Sequence, residues 1–218
     1  MSLTTPRFVV PHAPAAWDKH AEIATWIWDN VPALPPFILA DDSGPAEQQT
    51  VTRVCYDTQA LYLRFDCDDR DIWGTHTQRD QPIYNEEVVE VFLAPGEADP
   101  VHYYEFEISP NGVLFDAKIY NPTSERADMV VDANWNCNDI RWQAQRNDAE
   151  GHWWAILILP WEGVAPPGNL PSTWRANFYR IERPRDAEPE FGCWSPTMTE
   201  PADFHKPAAL GILILAET

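Results

Sequence analysis

Glu90 and Glu107 are the residues of this chain best placed to do chemistry. Glu90 interrupts the apolar run Val88-Val89-Glu90-Val91-Phe92-Leu93, and Glu105 and Glu107 alternate with Tyr104, Phe106 and Ile108. In a strand, successive side chains point to opposite faces. Val89, Val91 and Leu93 therefore share a core face, and Glu90 turns the other way beside Val88 and Phe92. By the same rule Glu105, Glu107 and Ser109 lie opposite Tyr104, Phe106 and Ile108. Pairing of the two segments across Gly96 to Pro100 would put the glutamates on one sheet face, with cross-strand Cβ atoms about 5 Å apart. Like charges so close repel, and they persist where a cation, an arginine or a hydrogen-bonding ligand sits between them. Arg64, Arg175 and Arg180 are the candidates for purely structural neutralisation. Two carboxylates on one platform are also the equipment of a glycoside hydrolase, one as acid and one as base or nucleophile. Hydrolysis through Glu90 and Glu107 is thus the enzymatic alternative to a binding role.

Further groups stand nearby in the sequence. The run Asp66-Cys67-Asp68-Asp69-Arg70-Asp71 is rich in oxygen ligands of the kind Ca2+ takes, so Asp66, Asp68, Asp69 and Asp71 are the candidate metal ligands. It lacks the glycine and final glutamate of an EF-hand loop, and a solvated acidic turn is the competing reading. Trp73, in the loop Ile72-Trp73-Gly74, is a candidate ligand platform or a loop anchor. Arg79 and Asp80 follow it within reach of a ligand edge. His205 reads as a hydrogen-bonded loop anchor. Met129, Met198 and His205 show no spacing for haem ligation, and neither haem nor nucleotide is expected.

The elements that must carry these groups read as strands. Across 218 residues, 21 well-spread prolines argue against long helices and for short strands joined by turns. A hairpin is expected from Val51 to Tyr56 and Leu61 to Asp68, with Leu61, Leu63, Phe65 and Cys67 on its core face. Further strands are expected at Glu87–Ala94, Tyr103–Ser109, Val113–Tyr120, Ile140–Arg146, Trp153–Leu159, Trp174–Glu182 and Leu210–Ala216. Pro110-Asn111-Gly112 and Pro167-Gly168-Asn169 are among the turn signals between them. The fold class is therefore all-β, an antiparallel immunoglobulin-like or jelly-roll β-sandwich. Neither repeat nor linker interrupts it, so residues 1–218 form one domain, with 1–49 a largely irregular segment packed on it. A short helix is expected around Lys19 to Thr25. In the strand Trp174 to Glu182, Asn177 and Arg180 face opposite sides, so only one of them can share the face of Glu90.

Composition narrows the partners. With 15 basic against 34 acidic residues and a net charge of −19, the chain offers no basic footprint for nucleic acid. Acidity of this kind suits a cation or a neutral ligand such as a sugar. Eleven tryptophans exceed ordinary use, and most belong to the core, with any surplus available to a binding surface. Cys55, Cys67, Cys137 and Cys193 form neither a CxxC pair nor a zinc spacing, which leaves one or two disulfides or four thiols. There is no apolar run of about 18 residues to span a membrane. The N-terminus also lacks the pattern of a signal peptide, so the expected location is cytoplasmic unless the sequence begins after a removed signal.

The order of Val51-Thr52-Arg53-Val54-Cys55-Tyr56, LYLRFDCDDRDIW, RDQPIYNEEVVEVFL, YYEFEISPNG and WSPT…FHKPAALGILIL resembles the family 9 carbohydrate-binding modules, especially their stand-alone bacterial relatives. The resemblance runs from about Val51 to Leu215. It implies an immunoglobulin-like sandwich that binds a mono- or oligosaccharide, often a chain end, between two aromatic rings, with structural calcium. It also implies a place in polysaccharide use, alongside a separate glycoside hydrolase. Carried onto this chain, the first platform is Tyr84, six residues before the strand glutamate Glu90. Trp194 is the second platform, and Glu107 and Ser109 fall at the polar positions before the Asn-Gly turn. The sequence departs from the sugar-binding members there, which resemble an Arg-x-Asn pair, and at Tyr84, where they carry tryptophan.

Overall fold

β-Branched and aromatic residues in period-two runs build nearly every element. The computed structural model describes residues 5–19 and 21–217. Its strands are β1 (Arg7–Val10), β2 (Ile38–Leu39), β3 (Thr50–Tyr56), β4 (Ala60–Asp68), β5 (Val88–Pro95), β6 (His102–Ile108) and β7 (Leu114–Tyr120). They continue with β8 (Val130–Asp132), β9 (Arg141–Asn147), β10 (His152–Pro160), β11 (Thr173–Glu182), β12 (Glu190–Cys193) and β13 (Gly211–Leu215). The nine strands read from the sequence are present with ends within two residues of expectation. The four it did not show, β1, β2, β8 and β12, are two to four residues long and carry too little pattern to register.

These strands form two stacked sheets. The small sheet runs β3-β4-β10-β9, and the large one runs β1-β13-β11-β5-β6-β7-β8. β11 is long enough to hold two partners on one edge: Thr173 to Ala176 pair with β13, and Tyr179 to Glu182 pair with β12. Pairing is antiparallel throughout except for β1, which lies parallel to β13. The segment 1–49 is thus less irregular than expected, because β1 and β2 extend the large sheet. Of the helix expected around Lys19 to Thr25, His20 lies outside the described residues; the remainder holds a 3-10 turn at Ile23–Thr25.

Three apolar layers result. The main core lies between the sheets, where Val89, Val91, Leu93, Phe106 and Phe178 meet Leu61, Leu63, Phe65, Trp153 and Leu157. A second cluster covers the outer face of the large sheet with Ile83, Val88, Phe92, Tyr103, Phe115, Tyr179 and Phe204. A third covers the outer face of the small sheet, where Trp26 and Trp28 of the N-terminal segment pack on Tyr62 and Ile156. Burying each such large side chain contributes about 1.5–3 kcal/mol. All eleven tryptophans are buried or half-buried, so the surplus serves packing. The four cysteines are buried free thiols, and burial pushes each up to about 12.

Candidate functional site

The register of β5 on β6 places Glu90 directly opposite Glu107, with Phe92 opposite Glu105. Alternation then sends all three glutamates to the outer face, as the sequence implies. Carboxylate oxygens of Glu90, Glu105 and Glu107 lie within 4.8 Å of one another. The face is not open, however: Glu90, Glu105 and Glu107 are only 3 %, 5 % and 1 % exposed. Burial pushes Glu90 well above the usual carboxylate range, and neighbouring Glu105 adds to the effect. Glu107 is raised for the same reason and then by Glu90 and Glu105, while burial brings Glu105 up to about 7. Both carboxyl oxygens of Glu107 are buried with no donor from outside the cluster, and the Glu105 carboxyl is their hydrogen-bonding neighbour.

The cover comes from the segment just before β13. Phe204 stacks on Tyr179 with ring centroids 4.1 Å apart, and His205 lies on Phe92 at 5.0 Å. His205 Nδ1 is 2.9 Å from the Tyr103 hydroxyl, and its Nε2 is 3.7 Å from Glu105 Oε1. Burial, reinforced by Arg126, lowers His205 to about 4, so the imidazole is neutral. The backbone of this strap is pinned as well. Asn121 donates to the His205 carbonyl at 3.1 Å, the Tyr179 hydroxyl donates to the Phe204 carbonyl at 3.2 Å, and Asp203 pairs with Arg126 at 3.1 Å. His205 is thus the anchor expected of it, and it also meets the carboxyl cluster.

Tyr84 stands at the rim of this arrangement. It sits in a 3-10 turn, Ile83–Asn85, immediately before β5. The buried Ile83 fixes that turn, and the Tyr84 ring is braced edge-on by Phe115 at 5.6 Å while remaining 41 % exposed. Burial, then Glu107 and Glu105, raises its hydroxyl above the ordinary value. Arg126 is close enough to act electrostatically on Tyr84, Glu90 and Glu105.

The other expected site residues lie elsewhere. Trp194 follows β12, where Cys193 points outward, so alternation sends its ring inward to the main core. Asn177 locks this arrangement by bonding both the amide and the carbonyl of Ser195. The Trp194 ring is 4 % exposed, packs on Phe178, and lies so close over Gly211 that any side chain there would collide with it. It therefore cannot clamp a ligand with Tyr84. Ser109 is spent on the turn after β6, its hydroxyl accepting from the Val113 amide at 3.1 Å. Gly112, with φ +77, completes that turn. Trp73 is half-buried and anchors its loop, its indole donating to the Arg183 carbonyl at 2.6 Å. Arg79 reaches the opposite face of the large sheet, where it grips Asp116 through bonds of 2.7 to 3.0 Å. Among the proposed neutralisers, Arg64 pairs with Asp66, Arg175 with Asp99, and Arg180 with Asp69 and Glu182.

The aspartate run does not converge on one point. Asp66 is held by Arg53 and Arg64, Asp71 by Arg185, and Asp68 is exposed at the strand end. Asp69 turns inward, accepting from Trp153 Nε1 and Arg180. A calcium ion needs six to eight oxygens at one centre, and Asp66, Asp68, Asp69 and Asp71 do not supply it. Asp69 belongs instead to a second buried group with Glu87 and Glu182, which encloses Arg180. Glu87 is raised to about 9, first by burial and then by Glu182 and Asp69. Strand parity places Glu87 with Val89 and Glu182 with Arg180 on the inner face, the signal from which this second group could have been read. Glu105 was legible on the outer face by the same rule, but its convergence with His205 was not.

The model of a family described as carbohydrate-binding family 9 matches residues 42–215. An extracellular protein of Arthroderma benhamiae is 31 % identical over 169 residues, covering 72 % of this chain and 74 % of that protein. A candidate carbohydrate-binding protein from Bacteroides uniformis superposes with a TM-score of 0.79 at 19 % identity, covering 98 % of this chain and 100 % of that one. A family 9 carbohydrate-binding module from Caldicellulosiruptor kristjanssonii in complex with glucose superposes with a TM-score of 0.64 at 12 % identity, over 97 % of this chain and 96 % of that one. At these identities the solved structures speak for the fold alone.

Proposed function

The chain belongs to carbohydrate-binding family 9, and we propose that it exercises that family's carbohydrate binding, without catalysis, at the rim of the outer face of the large sheet. The observation that carries the location is Tyr84. It is a braced, solvent-facing ring that precedes the strand glutamate at the resemblance's platform position. A pyranose presents C–H groups on its faces and hydroxyls around its edge, so an exposed aromatic face beside polar groups suits it. Asn85 and Arg126 are exposed near this ring and offer donors and an acceptor for the hydroxyls. Glu90 and Glu107 lie beneath the rim and not at it. Their burial leaves no room for a glycosidic bond between them, which weighs against the hydrolase reading.

The ligand class is a neutral mono- or oligosaccharide, because a protein of net charge −19 repels acidic sugars. The same reading places the protein in polysaccharide use, holding sugar for a separate glycoside hydrolase. The test is calorimetric titration with glucose, cellotriose and a wider panel of neutral sugars, using wild type and Tyr84→Ala. Binding by wild type that weakens about tenfold or more in the variant, some 1.4 kcal/mol, supports the assignment. Equal affinity in both refutes the role of Tyr84.

A further inference from the structure

Two buried groups of three acids occur among the described residues, and they differ in one respect. Asp69, Glu87 and Glu182 enclose Arg180, which lies 2.8 Å from Asp69 and also bonds Glu182. A guanidinium already supplies the positive charge there. Glu90, Glu105 and Glu107 have no such resident. Arg126, the basic group that acts on both Glu90 and Glu105, is 62 % exposed and engaged with Asp203. Buried charged carboxylates are paired or coordinate metals, and at 1 % exposure no arginine, lysine, amide or hydroxyl reaches either oxygen of Glu107, whose hydrogen-bonding neighbour is the Glu105 carboxyl.

We propose that Glu90, Glu105 and Glu107, together with Nε2 of His205, form a binding site for one divalent first-row transition cation. His205 brings a nitrogen to the oxygen cluster, with Nε2 3.7 Å from Glu105 Oε1. Its other ring nitrogen is 2.9 Å from the Tyr103 hydroxyl, whose own proton can turn to Met129 Sδ at 3.9 Å. In that tautomer Nδ1 donates to Tyr103 and Nε2 presents its lone pair on the side of Glu105, the outer-shell arrangement that orients metal-ligating histidines. Bonds of about 2.0–2.2 Å put ligand atoms roughly 3–4 Å apart around an ion. One oxygen from each glutamate lies within 4.8 Å of the other two, a spacing that small side-chain adjustments close. Three carboxylates with one imidazole suit Mn2+ or Zn2+. Ca2+ takes oxygen ligands and gains little from an imidazole nitrogen, so it is disfavoured beside them.

The experiment uses the full chain stripped with chelator and titrated separately with Mn2+, Zn2+ and Ca2+ by calorimetry. One equivalent of Mn2+ or Zn2+ should bind, with Ca2+ at least tenfold weaker. Glu107→Gln and His205→Gln should each weaken Mn2+ by at least tenfold, and Glu87→Gln, in the group that already holds Arg180, should leave it unchanged. In wild type, substoichiometric Mn2+ should broaden the ring proton resonances of Phe92 and Tyr103 before those of Trp153, a readout that needs no variant. Failure of wild type to bind either transition ion overturns the site. So does wild-type affinity in a folded Glu107→Gln and His205→Gln pair, or broadening centred on Trp153.

Discussion

Replacing Trp194 by alanine separates a core residue from a ligand platform. The indole is 4 % exposed and rests on Phe178 and the backbone of Gly211, so its removal opens a cavity in the main core. Buried Trp→Ala substitutions cost about 3–5 kcal/mol. For a chain of this length each kcal/mol lowers the melting temperature by about 2–4 °C, so the expected fall is about 6–20 °C. Trp194→Phe should cost less, because it fills most of the space and deletes an indole N–H that has no acceptor. Thermal unfolding followed by near-ultraviolet circular dichroism measures the first effect, and calorimetric sugar titration well below the transition measures the second. The folded variant should keep its sugar affinity. A variant that melts like wild type yet no longer binds sugar would place the ring at the ligand and refute the burial argument.

Other substitutions test the same physics. Gly211→Ala should destabilise by about 1–3 kcal/mol through overpacking, and the loss should shrink in a Trp194→Leu background, a non-additivity that a double-mutant cycle in urea would detect. Arg79→Met leaves the fully buried Asp116 without its main partner, so a loss of about 3 kcal/mol is expected in denaturant titrations with sugar binding intact. Glu87, raised to about 9 in the fold from 4.5, contributes stability that is full below pH 4.5 and is lost as pH rises through about 9. Glu87→Gln should flatten that part of the stability curve, and an unchanged slope would show that Glu87 does not titrate in this window.

The existence of the nine longer strands and the direction of their side chains were decided by the chain itself, because a period of two allows only two faces. Val89, Val91 and Leu93 had to share the core, and Glu90, Glu105 and Glu107 had to share the other side. A one-residue slip of the hairpin would bury the wrong face, so the shared face of the glutamates followed from local sequence. The pairing of Glu90 with Glu107, and not with Glu105 two residues away, was decided by the folded hairpin. What lies over that outer face was a tertiary decision. Phe204 and His205 come from a segment about a hundred residues away, and alternation within β5 and β6 says nothing of their arrival. The choice of partner by the buried cations was in part tertiary too: Arg79 and Arg180 went to Asp116 and Asp69, acids remote in sequence, because burial demanded pairing there, while Arg64 met Asp66 two residues on in its own strand. Trp194 shows the boundary between the two. Its motif position suggested a platform, while the parity of a four-residue strand, visible only once β12 is paired to β11, turned it inward. Period two assigns a residue to a face, and only the packing of distant segments determines whether that face meets water, core or ligand.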